Sequence, residues 1–387
     1  MSTPALFRAL KLAVRGDLVK ARGVLDEAYV RWRLPPPALP RLEEVQAQYV
    51  RTLEKPRPLA EPVDIVIPIH NGGQHLARLF ATLFDRTDPK HRFLLMDDAS
   101  SEPTALALLR DAATRPNVVL VREEVNRGFV ATVNRAMTMA AGHAVLLNTD
   151  TEVPPAWLER LMRPIFGEPK VASTTPFSNS ASAFSFPVPD TVNPMPEGVG
   201  VAEIDAAFQR LSPAHDPSLL APAGVGFCMG VNLAAWRALG PFDAATFGHG
   251  YGEETDWCLR AGAAGWRNVL VPDLFVYHAD GGSFGSAAKR AIVEGNLRLI
   301  YRRWPAYRRQ LATHHRLDPW ASRRAAAVLA LAAAPGGSMG SGVRVTETDE
   351  LGHVVIEARC GAWWASITAK GGDARSIAAD ARSLAWP

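Results

Sequence analysis

Four stretches of the chain crowd acids and amides into a few residues each. They are Pro68-Ile69-His70-Asn71-Gly72-Gly73, Asp97-Asp98-Ala99-Ser100, Asn148-Thr149-Asp150-Thr151-Glu152 and Gly252-Glu253-Glu254-Thr255-Asp256. Carboxylate and amide oxygens are the donors that a hard divalent cation takes, and a carboxylate accepts either an N–H or a hydroxyl proton. Each stretch taken singly also has a plain structural use. Asp and Asn form turns and cap helices, and acids in a helix's first turn are favoured by its dipole. Chemistry requires that the stretches converge, so the elements that position them decide between the two readings.

From residue 63 onward, short β-branched or aliphatic runs alternate with helical ones. The pattern predicts strands over 63–69, 92–96, 118–121 and 144–147, with helices over 74–84, 103–113 and 130–141. Strands and helices in that order imply right-handed βαβ units, hence an α/β fold with a mostly parallel central sheet flanked by helices. Ligands bind such sheets beyond the carboxyl ends of the strands. The first three polar stretches fall there.

The flanks read differently. Residues 1–60 form a helical extension and linker: apolar positions at helical spacing run over 5–32 with a break near Gly16, prolines interrupt at 35–40, a further helix is expected over 42–53, and 56–62 is a linker. Residues 61–285 are expected to hold the α/β domain that carries the polar stretches. Residues 286–333 are a basic helical segment in which Lys289, Arg290, Arg298, Arg302, Arg303, Arg308, Arg309, Arg316, Arg323 and Arg324 face only Glu294 and Asp318 as acids. Together with Tyr301, Trp304 and Tyr307, that charge suits an anionic lipid surface, and it suits a solvated helical cap equally. Residues 334–387 are a linker and tail, with strands expected at 343–346 and 354–358, to which the sequence assigns no function.

Composition narrows the class. In 387 residues, 48% are hydrophobic and 21% charged, which is globular and not disordered. A net charge of +3 gives no reason to expect nucleic acid as a partner. Cys228, Cys258 and Cys360 have no CxxC spacing and leave an odd thiol, so a disulfide scaffold or zinc site is not expected and a reducing compartment is. No apolar run reaches the roughly 18 residues of a membrane span, and Arg8, Lys11 and Arg15 interrupt the N-terminal apolar positions. The expected location is cytoplasmic, peripheral at the inner face of the plasma membrane if the basic helices touch lipid.

The segments VDIVIPIHNGG, LLMDDASS, NRGFVATVNRAM, LLNTDTEVPPAWLERL, GVGFCMGVNLAAWRALGPFD, GYGEETDWCLRAGAAGWR and VYHADGGSFG, in that order over about residues 63–285, resemble the family-2 glycosyltransferases of the GT-A fold. The type is that of bacterial rhamnosyltransferase-like enzymes of polysaccharide biosynthesis. The resemblance implies a nucleotide-diphosphate sugar as donor, a glycan or lipid-linked saccharide as acceptor, and a divalent metal, Mn or Mg. It places Asp98 as the hydrogen-bond acceptor for the nucleobase, which favours uracil or thymine, and lets Asp97 share that role or cap the next helix. Pro68, His70, Asn71, Arg127, Gly128, Asn134 and Asn148 fall to the nucleotide. Arg127 would meet the diphosphate or only solvent, and Gly128 would supply a positive φ or a close approach.

Asn148-x-Asp150 resembles the family's DxD metal motif, with Asp150 the first ligand and His278 completing the shell. Asn148 departs from the strict pattern and removes one negative charge, although its amide oxygen still coordinates directly or through water. The Gly252–Asp256 segment resembles the family's acidic motif. It makes Glu254 the base that removes the acceptor proton in an inverting transfer, with Glu253 and Asp256 as competitors. Asp256 lies four residues before Arg260, the spacing of a helical ion pair, so a structural or acceptor-orienting role is expected. Residues 172–189, with Phe177, Ser178, Asn179 and Phe184, and residues 224–229 are expected on the acceptor side. The alternatives are sugar nucleotidyl transfer, which needs no base beside a sugar hydroxyl, and a degenerate protein that binds sugar nucleotide or glycan without turnover.

Overall fold

The computed structural model describes residues 3–214, 217–248, 250–279, 287–334, 342–347 and 353–370, together with residues 379 and 383. The chain opens with helices α1 (Thr3–Val14), α2 (Leu18–Arg33) and α3 (Leu42–Gln46). The alternating region follows as β1 (Asp64–Ile69), α4 (Gly73–Leu83), β2 (Arg92–Asp97), α5 (Pro103–Ala112), β3 (Val118–Arg122), α6 (Phe129–Met139) and β4 (Ala144–Leu147). Each of these strands and helices lies within one or two residues of its expected bounds. Then come β5 (Thr151–Glu152), α7 (Trp157–Gly167), β6 (Val171–Phe177), α8 (Val201–Phe208), β7 (Leu220–Ala221) and β8 (Cys228–Val231). Helices α9 (Leu233–Leu239), α10 (Ala244–Phe247) and α11 (Glu253–Ala263) precede β9 (Arg267–Phe275) and β10 (Tyr277–His278). The chain continues through α12 (Ala287–Arg303), α13 (Tyr307–Leu317) and α14 (Ala321–Ala333) to β11 (Gly342–Glu347), β12 (His353–Cys360) and β13 (Trp363–Lys370).

The central sheet runs β3-β2-β1-β4-β8-β6-β9-β7. Its β1–β2, β2–β3, β1–β4 and β6–β9 pairings are parallel, and β8 lies antiparallel between β4 and β6. Side chains alternate across the sheet with a period of two. Ile65, Ile67 and Ile69 face a core shared with α4, α5 and α7, whereas Val66 faces a second core with Val130 and Val133 of α6 and Trp257 of α11. Burial on both faces explains why β1 reads as a continuous apolar run.

Two departures from the sequence expectation matter. The helix expected over 42–53 stops at Gln46, because Tyr49 leaves it to bridge Leu211 and to donate its hydroxyl to the Ala326 carbonyl at 2.6 Å. The region past 342 is a three-stranded antiparallel sheet and not two loose strands. Its Trp363 is buried edge-on against Phe186, and α14, buried along Arg323–Ala332, packs on that sheet and on α3 and α8.

Candidate active site

The topology puts one set of ends on one edge. β1, β2, β4, β6 and β9 point the same way, so their carboxyl ends share a rim, and antiparallel β8 brings its amino end to the same rim. A chain of contacts runs along it. Asp98 accepts from the Arg127 and Gly128 amides at 2.7 and 2.8 Å. Gly128 sits at φ +83, and a Cβ there would come within 2.8 Å of the Gly248 carbonyl, so both expected reasons for glycine apply. Beyond Gly248 the backbone keeps positive φ at Gly250, Tyr251 and Gly252 and enters α11 at Glu253. The Glu254 side chain lies against Gly226, whose neighbour Phe227 stacks on the His278 ring at 5.0 Å, and His278 faces Asp150.

Asp150 and His278 are joined by a two-residue ladder. Thr151 of β5 pairs with His278 of β10, and the Ala279 amide donates to the Asp150 carbonyl at 2.7 Å. His278 Nδ1 donates to the Ser180 carbonyl at 2.7 Å, which leaves the Nε2 lone pair aimed at Asp150 Oδ1, 3.3 Å away. A carboxylate oxygen and an imidazole lone pair set face to face suit a divalent cation between them. Among the described residues no cluster of three or more His, Cys, Asp or Glu forms a complete cage. The donor set therefore fits an ion that takes its remaining ligands from water and substrate phosphates. Asn148 is half-buried beside this pair; its amide N–H donates to Phe227 O and its carbonyl accepts from Thr151 Oγ1, fixing the turn that carries Asp150.

Glu253 and Glu254 open α11. Glu253 is buried, its Oε2 has no hydrogen-bond partner, and burial followed by the charge of Glu254 pushes its pKa well up. Burial raises Glu254 as well. Both carboxyls are therefore held toward the protonated form, and the couple carries one negative charge more readily than two.

Residues 64–210 match the family model described as glycosyl transferase family 2. This stretch of the chain is therefore similar to the family 2 glycosyltransferases. The N-acetylglucosaminyl-diphospho-decaprenol L-rhamnosyltransferase of Mycobacterium tuberculosis, in two strains, is 25% identical over 248 residues, covering 59% of this chain and 79% of the relative. A solved mannosyltransferase of Pyrobaculum calidifontis, in complex with GDP-Man and Mn2+, is similar at 18% identity over 87% of this chain and 89% of that one, with a TM-score of 0.49.

Within the region 61–285 several expected site residues make contacts that hold the frame. Asp97 is buried and its carboxylate accepts from the Ser100 amide and the Arg122 guanidinium; it does not cap the next helix, whose N-cap is Glu102. Asp98 is 4% exposed with both oxygens on the Arg127–Gly128 turn, so it builds that turn. Asn134 spends its amide on the Phe242 backbone, as donor at 2.9 Å and acceptor at 3.0 Å, which ties α6 to the segment before α10. Arg127 is exposed and reaches Glu123. Pro68 lies in β1 opposite Met96, His70 Nδ1 donates to the Asp98 carbonyl, and Asn71 Oδ1 accepts from the Ser101 and Glu102 amides, so the loops after β1 and β2 are interlocked.

Asp256 is committed to structural contacts, the reading its spacing to Arg260 favoured. Its carboxylate accepts from Arg260, Arg303 and the Trp304 indole, and it is fully buried. The expected acceptor lining at Phe177, Ser178, Asn179 and Phe184 is corrected. All four are buried, Phe177 at the end of the inner strand β6 and Phe184 in the turn after it, both aromatics packing with Trp320. Asn179 has another function, unread in the sequence: its amide clamps the His278 backbone from both sides, at 3.0 and 2.9 Å. The glycine-rich stretch 281–285 lies outside the described residues.

The basic segment after residue 286 is less free than its sequence suggests. Arg308 and Arg309 pair with Glu27 and Asp26 of α2, Arg303 with Asp243 and Asp256, and Arg324 is buried on Asp318 and two carbonyls. Its counter-charges come from elements distant in sequence, which a local count of acids misses. The side chains of Lys289 and Arg290 lie outside the described residues. Among the described residues no helix is long and apolar enough to cross a membrane.

Proposed function

We propose that the chain transfers a sugar from a UDP- or dTDP-linked donor to a hydroxyl of a glycan or lipid-linked saccharide, with inversion at the anomeric carbon and a divalent ion, Mn or Mg, at Asp150 and His278. The observation that carries this is the pairing of two lone-pair donors 3.3 Å apart with an acid couple on the next element of the same rim. Asp150 Oδ1 and His278 Nε2 would hold the ion, with Asn148 beside them. Bound there, the ion supplies positive charge to the departing diphosphate.

The chain's own residues do the rest. Ser180 and Asn179 keep the His278 tautomer and ring orientation fixed. The Asp98-anchored turn at Arg127 and Gly128 seats the nucleotide, and Arg127, exposed on that turn, reaches toward the phosphates. Glu254 takes the acceptor hydroxyl's proton as its oxygen attacks, and Glu253 keeps its own proton, so that only one negative charge is buried at the start of α11. Gly226 leaves open the space next to Glu254 that an acceptor hydroxyl needs. A lipid-linked acceptor is supported by the mycobacterial relative, whose name gives a decaprenol diphosphate saccharide as its substrate. Such an acceptor is met at the inner face of the plasma membrane, where we place the enzyme.

Thermal unfolding against a panel of UDP-, dTDP- and GDP-sugars, with and without Mn2+, tests the proposal. A UDP- or dTDP-sugar at about a hundred times its dissociation constant should stabilise the protein by roughly 2.7 kcal/mol, only with Mn2+, and not in Asp150→Ala. Stabilisation by none of the panel, or by GDP-sugars alone, would overturn it.

A further inference from the structure

Helix α1 packs only one side. Ala9 is buried, whereas Leu6, Phe7, Leu10 and Val14 are 48%, 72%, 63% and 80% exposed. At about 100° per residue these four fall within an arc of roughly 100° that faces away from the Ala9 side. Lys11, Arg15 and Arg8 occupy the arc beside it, spanning roughly another 60°. From Met1 to Gly16 the chain has no acid, and among the described residues Arg8, Lys11 and Arg15 make no ion pair. At the far end of the α1–α2 hairpin, Trp32 is 63% exposed and shares a surface hollow with Pro4, Ala5 and Arg8.

From this we infer that the α1–α2 hairpin lies on an anionic lipid surface, with its apolar stripe in the headgroup boundary and its basic flank on lipid phosphates. An apolar arc bordered by cations and closed by an exposed Trp is the pattern of a helix lying in a membrane interface. A second copy of the chain fits worse, because two α1 faces brought together would oppose like charges. The expected lipid contact thus moves from the C-terminal arginines, of which Arg303, Arg308, Arg309 and Arg324 are consumed by internal pairs, to the N-terminal hairpin. The hairpin is firmly coupled to the catalytic helix. Lys20 pairs with Glu294 and Arg298 with Asp17, while Arg303 and Trp304 close on Asp256 of α11. Asn296 also donates to the Gly250 carbonyl at 2.8 Å. Docking the hairpin therefore sets the orientation of the site to the bilayer.

The test is co-sedimentation of the full chain with vesicles of phosphatidylcholine alone and with phosphatidylglycerol added. Binding should require the anionic lipid and weaken with salt. Arg8→Glu/Lys11→Glu should lower partitioning by at least about thirtyfold. Phe7→Glu/Leu10→Glu should abolish it, and neither pair should change the Tm, since all four side chains are exposed. Arg302→Glu, on α12, should bind as wild type. Equal binding by the two double variants and wild type, loss of binding in Arg302→Glu alone, or a wild-type dimer that Phe7→Glu dissociates without any vesicle binding would each overturn the inference. Stabilisation by sugar nucleotide, read in the same samples, is independent of vesicles, so failure here and failure of the transferase reading are distinguishable.

Discussion

Glu253 and Glu254 are adjacent, but they are not equivalent. A buried couple cannot carry two charges cheaply, and on the proposed mechanism Glu253, whose Oε2 has no partner, keeps its proton while Glu254 acts as base. Glu253→Gln mimics the protonated state and should cost transfer less than about tenfold, whereas Glu254→Gln should cost about 10²- to 10⁴-fold. Steady-state transfer rates of the two variants check this; equal losses would contradict it. Gly128 gives a stability prediction at the same scale. Gly128→Ala sets a Cβ against the Gly248 carbonyl at a positive φ, and should destabilise by about 1–3 kcal/mol in denaturant unfolding. Asp150, Glu254 and His278 were singled out in the sequence by residue type, and the structure sets Asp150 and His278 3.3 Å apart. The framing duties of Asp98 and Asn134 were not legible there, since an Asp that anchors a turn and an Asp that meets a ligand look the same until their partners are known.

At the scale of elements, strands β1 to β4 and the helices between them were legible from apolar periodicity alone, because each buries a face of its own. The β5–β10 ladder was not. Two residues on each side carry no periodic signal, and their pairing joins positions more than 120 residues apart. The same applies to the docking of α12 and α13, which rests on Asp256 and on acids of α2. Asp256→Ala would leave Arg260, Arg303 and the Trp304 indole without their shared acceptor. We expect a loss of about 2–4 kcal/mol in unfolding free energy, with the pH profile of the remaining activity unchanged. A shifted profile would return Asp256 to the catalytic group.

For the whole molecule, acid sensitivity follows from two histidines, one buried and one half-buried. His91 accepts from the Val63 amide through Nδ1 at the start of β1, and burial lowers its pKa to about 4. His314, edge-on to Trp320, is likewise lowered to about 4. The unfolded chain takes up these protons below about pH 6.5 and the folded one resists them. Stability is therefore complete above that pH and falls as pH drops from about 6.5 to about 4, with His91 contributing on the order of 2 kcal/mol. Tm against pH should show this slope, and His314→Phe should flatten it. The C-terminal sheet belongs to the same folded body, because Trp363 and α14 close the aromatic core behind the rim.

All of this depends on Asp150 and His278 serving one cleft with Glu254. The most direct measurement is nucleoside diphosphate release from a UDP- or dTDP-sugar with Mn2+ present and absent, in the wild type and in Asp150→Ala and His278→Ala. The structure predicts slow release that needs Mn2+ and disappears in both variants. Release that persists undiminished in the two variants, or that ignores the metal, would contradict the account.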